Sequence, residues 1–282
     1  MDWRKAIGIL AISFFVLNIV LIINLFMNTL PEQCLYLGED KDQAIRSYLE
    51  SRGIKLTIQL PARGVPLPFL EVGRESLKTE EILKIFLPEK IEKVEDIEDG
   101  KKYISGGRRL IFTESGSVIF ENDEKAENIS NLDETKAVEI AERFIKVHGG
   151  LPEDASLNYV KYNPEINGYE VEYIGNYKGF FIANRYIRLS ITPHGVVKFQ
   201  RSFLKPVAFK GKRRQVIPPL TAVLKVDAER KNKTPMIVKK VEQGFYSQFY
   251  NAERWSAAPV WKVELNNGEV YYVNAYTGEL ER

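Results

Sequence analysis

Residues 6–31 contain no charged side chain; Arg4 and Lys5 stand directly before them, and Glu32, Glu39 and Asp40 follow. The strongly apolar part, residues 6–26, is 21 residues long. As a helix rising about 1.5 Å per residue, it matches a hydrocarbon layer of roughly 30 Å. The pattern predicts one transmembrane helix with the N-terminus in the cytoplasm, because Lys and Arg resist translocation. Nearly all of the 282 residues would then lie outside the cell membrane. A cleaved signal peptide is the competing reading. Its apolar region is about 7–15 residues and ends at a small-x-small site. This run is longer and leaves through Met27, Asn28, Thr29, Leu30 and Pro31.

The chain is 44% hydrophobic and 28% charged, enough apolar material for one large or two modest exported domains. Forty basic against 38 acidic residues leave a formal charge of +2, so no global field argues for nucleic acid. The lone Cys34 has no partner in the chain, so burial and sheet pairing must stabilise the fold.

Periodicity predicts an α+β protein. Residues 39–52 read as a helix with Ala44, Ile45, Tyr48 and Leu49 on one face, stopped by Gly53. A strand at 56–60 and a short helix at 79–86 follow, then a mixed-charge tract at 89–102. Leu110-Ile111-Phe112 and Val118-Ile119-Phe120 form a hairpin around Ser115-Gly116. Two later segments share one layout. Asp133 caps a helix carrying Ala137, Ile140, Ala141, Phe144 and His148, and strands around Tyr169-Val171-Tyr173 and Ile187-Leu189-Ile191 come next. Pro218-Pro219 open a second helix with Leu220, Val223 and Leu224, followed by strands around 237–249 and Trp261-Val263-Leu265 and by the turn Asn266-Asn267-Gly268.

The expected organisation is a cytoplasmic N-terminus at 1–5, a transmembrane helix at 6–28 and a first exported α+β unit at 29–131. Two degenerate helix-plus-sheet repeats, 132–210 and 211–282, complete it. Exported antiparallel sheets would carry helices on one side.

Within the span, Gly8, Ala11, Phe15, Asn18 and Ile22 recur at steps of three and four and share one helix face. Small residues let backbones approach, and an amide in hydrocarbon gains by bonding across an interface, so this face is the candidate surface for a partner helix. The alternative is that Asn18 bonds within its own helix. Outside the span, the aromatics of both repeats suit sheet-face packing, and residues 210–214 (Lys-Gly-Lys-Arg-Arg) read as a solvated basic loop, with anionic wall polymer or lipid headgroups as the rarer contact. Glu170 and Glu172 share a strand face that is most simply solvated. Only His148 and His194 occur, with no HExxH, GxSxG, paired CxxC or Walker loop, so neither enzyme activity nor a cofactor or metal is expected.

Met1-Asp2-Trp3, the basic pair, Phe15-Val16-Leu17-Asn18 inside a single anchor and the terminal Tyr276-Thr277-Gly278-Glu279 turn give the chain its sharpest resemblance. It resembles the YycI (WalI) family, auxiliary regulators of the YycFG (WalRK) cell-wall two-component system of low-GC Gram-positive bacteria. The resemblance implies a complex with the sensor histidine kinase (YycG/WalK type) and with a YycH/WalH-type single-span protein. The terminal unit is also similar to PepSY-type modules. That likeness implies a different function, extracytoplasmic ligand binding or peptidase inhibition, with the anchor as a tether only.

Overall fold

The computed structural model describes residues 13–14, 17–18 and 39–281, apart from 62, 76–77, 125–126, 203, 231–233 and 249–251. Among these, four helices and fifteen strands follow the helical residues 13–14 and 17–18. The helices are α1 (Glu39–Ser51), α2 (Thr79–Phe86), α3 (Glu134–Val147) and α4 (Pro219–Glu229). The strands are β1 (Ile54–Leu56), β2 (Leu67–Arg74), β3 (Lys93–Ile97), β4 (Gly100–Ser105), β5 (Arg108–Thr113), β6 (Ser117–Asn122), β7 (Ala155–Asn163) and β8 (Gly168–Tyr177). They continue with β9 (Phe180–Thr192), β10 (Gly195–Ser202), β11 (Leu204–Arg214), β12 (Met236–Tyr246), β13 (Arg254–Leu265), β14 (Val270–Asn274) and β15 (Leu280–Glu281). The fold is α+β, and its strand pairs are antiparallel except β1 with β12 and β12 with β9.

Two layers account for most of the molecule. In the first, the strand order is β7-β8-β9-β10-β6-β5-β4-β3. Helices α2 and α3 cover one face, where Phe86, Ala137, Ala141 and Ile145 share a buried cluster with Val171, Leu189, Ile191 and Phe199. In the second layer β1, β12, β13, β14 and β15 lie side by side under α1 and α4. There Leu49, Leu220, Val223 and Val226 pack on Val238, Trp261 and Val263. Each layer thus has one apolar face closed by helices, which is what the alternating strands require.

Local chemistry explains the elements that sequence periodicity located well. The Asp133 carboxylate accepts a hydrogen bond from the Lys136 N–H at 2.8 Å, satisfying one of the orphan donors at the start of α3. Gly149 and Gly150, with φ of +106° and +75°, take the left-handed geometry that ends this helix. Asp133→Ala will therefore cost about 1 kcal/mol of stability, readable as a lower urea midpoint. In the β5–β6 hairpin, Leu110 faces Phe120 and Phe112 faces Val118 across Ser115-Gly116. Pro219 occupies the first helical position of α4, where a missing N–H costs nothing.

Other expectations change. The strand sought at 56–60 is only β1 and ends at Leu56, although Ile58 and Leu60 still pack against the second core. The mixed-charge tract at 89–102 is the β3–β4 hairpin, whose charges pair off, with Lys93 2.7 Å and Lys102 3.1 Å from Glu95. Of the four residues placed on one face of α1, Leu49 is buried and Ile45 partly buried, while Ala44 and Tyr48 face solvent. The basic run at 210–214 lies at the end of β11, where Lys210 and Arg214 pair with Phe69 and Leu67 of β2 and the register breaks across 211–213. Sheet pairing also joins the three segments expected at 29–131, 132–210 and 211–282, since β1 lies against β12, β2 lies between β11 and β13, and β6 pairs β10.

Candidate functional site

The two layers meet on the faces that helices do not cover, and the meeting is charged. Glu172 on β8 is 6% exposed. Its carboxylate accepts from Arg188 Nε on β9 at 2.9 Å, from Arg188 Nη2 and from Asn158 Nδ2 on β7 at 2.7 Å. On the opposing layer Lys262 of β13 is 3% exposed. Its ammonium lies 2.8 Å from Glu242 of β12 and donates to Asn158 Oδ1 at 3.4 Å. Lys240, 2.7 Å away, holds the other oxygen of Glu242. The side chain of Asn158 therefore bridges a carboxylate on one layer and an ammonium on the other.

Aromatic rings wall the seam. Lys262 Nζ sits 4.9 Å from the Phe181 ring centre, and Tyr246 stacks on Tyr272 at 5.0 Å. Arg188 lies 5.0 Å over the Tyr186 ring. At one end, β9 and β12 join in parallel through only two residue pairs, Phe181 with Gly244 and Ile182 with Phe245. Gly244 makes that approach possible, because a Cβ there would stand 2.4 Å from the Phe181 ring. The contact joins these charged pairs to an apolar patch in which Ile174, Phe181 and Ala183 of one layer pack with Val260 of the other, and its strand pairing is short.

Electrostatics follow from this enclosure. Burial pushes the Tyr159 hydroxyl up to about 12, and the nearby Glu172 carboxylate adds to the shift. Burial tends to raise the Glu242 carboxyl, but hydrogen bonds from Lys240 and Lys262 outweigh it and hold the group below the usual carboxylate range. Burial disfavours the Arg188 cation, yet the charge of Glu172 keeps its pKa above the ordinary arginine value. The seam is thus a set of acidic and basic side chains matched in ion pairs. It has the chemistry of a latch.

The expectation that Glu172 faces water is corrected: an opposing polar face covers it. Glu170 does remain partly exposed and accepts from Asn163. Asn158, Arg188, Glu242 and Lys262 were not singled out from sequence. Their only signal was that strands in both repeats alternate apolar and charged residues, which two polar faces in contact produce as readily as solvent does. The two histidines lie on different elements. His148 caps the C-terminus of α3, where a ring nitrogen lies 2.7 Å from the Phe144 carbonyl and the ring stacks on Phe144; His194 is in the β9–β10 turn. Burial lowers the His148 pKa below its ordinary 6.5, against the opposing pull of the Phe144 carbonyl. The unfolded chain then binds the proton first, so the His148 contribution is complete above pH 6.5 and is lost as pH falls through the folded value. Urea midpoints at successive pH values will show this loss, and His148→Leu will remove it.

Of the helix face expected from sequence to meet a partner helix, Asn18 alone falls among the described residues; Gly8, Ala11, Phe15 and Ile22, with Arg4 and Lys5, lie outside them, as do Phe249, Tyr250 and Cys34. Asn18 is helical, and its Nδ2 donates to the Phe14 carbonyl at 2.8 Å. An amide has two N–H groups and a carbonyl, so this bond engages one of them. Among the described residues no helix is long and apolar enough to cross a membrane.

A family model described as YycI protein matches residues 37–276. The chain belongs to the YycI family. Among solved structures, YycH from Bacillus subtilis shares 10% identity with this YycI-family chain, with a TM-score of 0.51 over 76% of this chain and 53% of its own. The chain therefore spans about half the length of that YycH chain, and the likeness is one of fold. An uncharacterized protein from Eubacterium rectale shares 13% identity with the YycI-family chain over 82% of it and 91% of its own length, with a TM-score of 0.49. A search of curated proteins finds no match.

Proposed function

We propose that this YycI-family chain is a noncatalytic, membrane-anchored auxiliary regulator of a YycG/WalK-type sensor histidine kinase that controls cell-wall homeostasis. It acts by forming a complex with that kinase and with a YycH/WalH-type single-span protein. The observation that carries the reading is the family match over residues 37–276, which takes in almost the whole folded part. The fold likeness to YycH supports pairing of the two proteins, and the charged seam between the layers supplies an element whose geometry a partner can bias.

The membrane helix joins the complex through the face of Gly8, Ala11, Phe15, Asn18 and Ile22. The Asn18 bond to Phe14 engages one of the two N–H groups, and the reading assigns the other N–H and the carbonyl to a neighbouring helix. Signal passes by contact in the bilayer and between the exported layers. Combining Gly8→Leu with Asn18→Leu removes close approach and the amide together. Recovery of the kinase from membranes will fall about 3- to 30-fold, the equivalent of about 0.6–2 kcal/mol for such an interhelical bond. Equal recovery by the variant places the contact in the exported layers. Full kinase regulation by a chain carrying an unrelated anchor makes the helix a tether only.

A further inference from the structure

We infer that the basic end of β11 docks on anionic lipid headgroups and fixes how the exported layers stand on the membrane. The inference rests on the membrane-anchored reading above. Four of the five residues 210–214 are cationic, and all five are exposed. Strand β11 ends the path of the sheet, with β2 on one side and no strand paired to its other edge among the described residues. Lys210 reaches Glu71 at 3.4 Å, and the Arg214 guanidinium lies 4.7 Å over the Tyr276 ring. Lys212 and Arg213 have no acidic partner among the described residues. Lysine on an open edge also deters pairing between copies, but two unpaired cations beside two lightly held ones leave a net positive strip that an anionic surface complements.

The path of the chain brings this strip to the bilayer. Helices α1 and α4 both hand over to neighbouring parallel strands at one end of the second layer. There the Met236 N–H donates to the Gly53 carbonyl, and Arg52 reaches Asp227 at 3.4 Å. At the opposite end the Ile217 N–H donates to the Ala275 carbonyl just before α4 begins, five residues after Arg214. Helix α1 lies beside α4 in one core, with Leu49 packed among Leu220, Val223 and Val226. It therefore starts at the end where the basic strip lies. Between the apolar run and Glu39 there are only twelve residues, 27–38, which reach at most about 40 Å when extended. The strip is thus within the range of the headgroups, and the surface potential of an anionic leaflet acts on it over about one Debye length.

The full chain is inserted into nanodiscs of phosphatidylcholine, with and without phosphatidylglycerol, and amide hydrogen exchange is followed across residues 204–214. Exchange at 210–214 will be about fivefold slower in the anionic discs, and this protection will vanish at high salt and in Lys212→Gln with Arg213→Gln. Both residues are exposed, so the variant keeps its fold, and unchanged exchange in α3 verifies that. Equal exchange in the two lipids overturns the inference. Protection that appears only when a YycH-type protein is added also overturns it and assigns the strip to a protein contact. Failure of the chain to enter the discs refutes the anchor instead, separating the two readings.

Discussion

Trp261→Ala will lower the unfolding free energy by about 4 kcal/mol, near the middle of the range for removing a buried large aromatic. The ring is 2% exposed in the core of the second layer. Its Nε1–H donates to the Ile217 carbonyl at 2.9 Å, tying β13 to the segment that leads into α4. A Cβ on Gly64 would stand 2.7 Å from the ring, which shows how closely the backbone at Gly64 packs on it. Truncation therefore opens a cavity and leaves a buried carbonyl without its donor. Trp261→Phe keeps most of the volume and loses the bond, so its cost is smaller. Urea unfolding of the full chain in detergent, followed by circular dichroism, measures both. A cost below about 1 kcal/mol for the alanine variant contradicts this packing.

Lys262→Ala will cost about 3 kcal/mol, the low end for breaking a buried ion pair. The effect stays at that end because Lys240 remains to partner Glu242. Asn158 loses its contact with the opposite layer, so hydrogen exchange will quicken at the β9–β12 seam before it quickens in either helix-covered core. Lys262→Met, which fills the volume without the charge, will be better tolerated. The pH dependence gives an independent check. Glu242 titrates below its ordinary 4.5 in the fold, so its contribution is present above pH 4.5 and is lost as pH falls through the folded value. Without the Lys262 ammonium that acid limb becomes shallower. An unchanged limb removes Lys262 from the account of Glu242.

What was legible in the sequence was local. Asp133, the apolar spacing from Ala137 to Phe144, and the helix at Thr79–Phe86 each announce themselves within a few turns of chain. So do the hairpins at Ser115-Gly116 and Asn266-Asn267-Gly268, whose turn residues sit between alternating strands. Pairings such as Ile54 with Met236, or Leu67 with Arg214, join residues far apart in the chain and leave no local pattern. The seam was missed for a related reason. Glu172 and Lys262 alternate with apolar neighbours as solvent-facing residues do, and only the stacking of one polar face on another buries them. The basic run was misplaced because Gly211 and four cations look like a loop, although a sheet edge favours the same residues. The expected partner face at Gly8, Ala11, Phe15, Asn18 and Ile22 rests on helical spacing alone, and the Asn18 amide bonds the Phe14 carbonyl four residues back.

The central claim is that this chain works by complex formation, and co-purification of the full-length protein from native membranes tests it most directly. A YycG/WalK-type kinase and a YycH/WalH-type single-span protein should be recovered together with the wild-type chain. Adding the chain back to membranes that lack it should change the kinase's autophosphorylation. Recovery of neither protein, with autophosphorylation unaffected by the chain, would contradict the account.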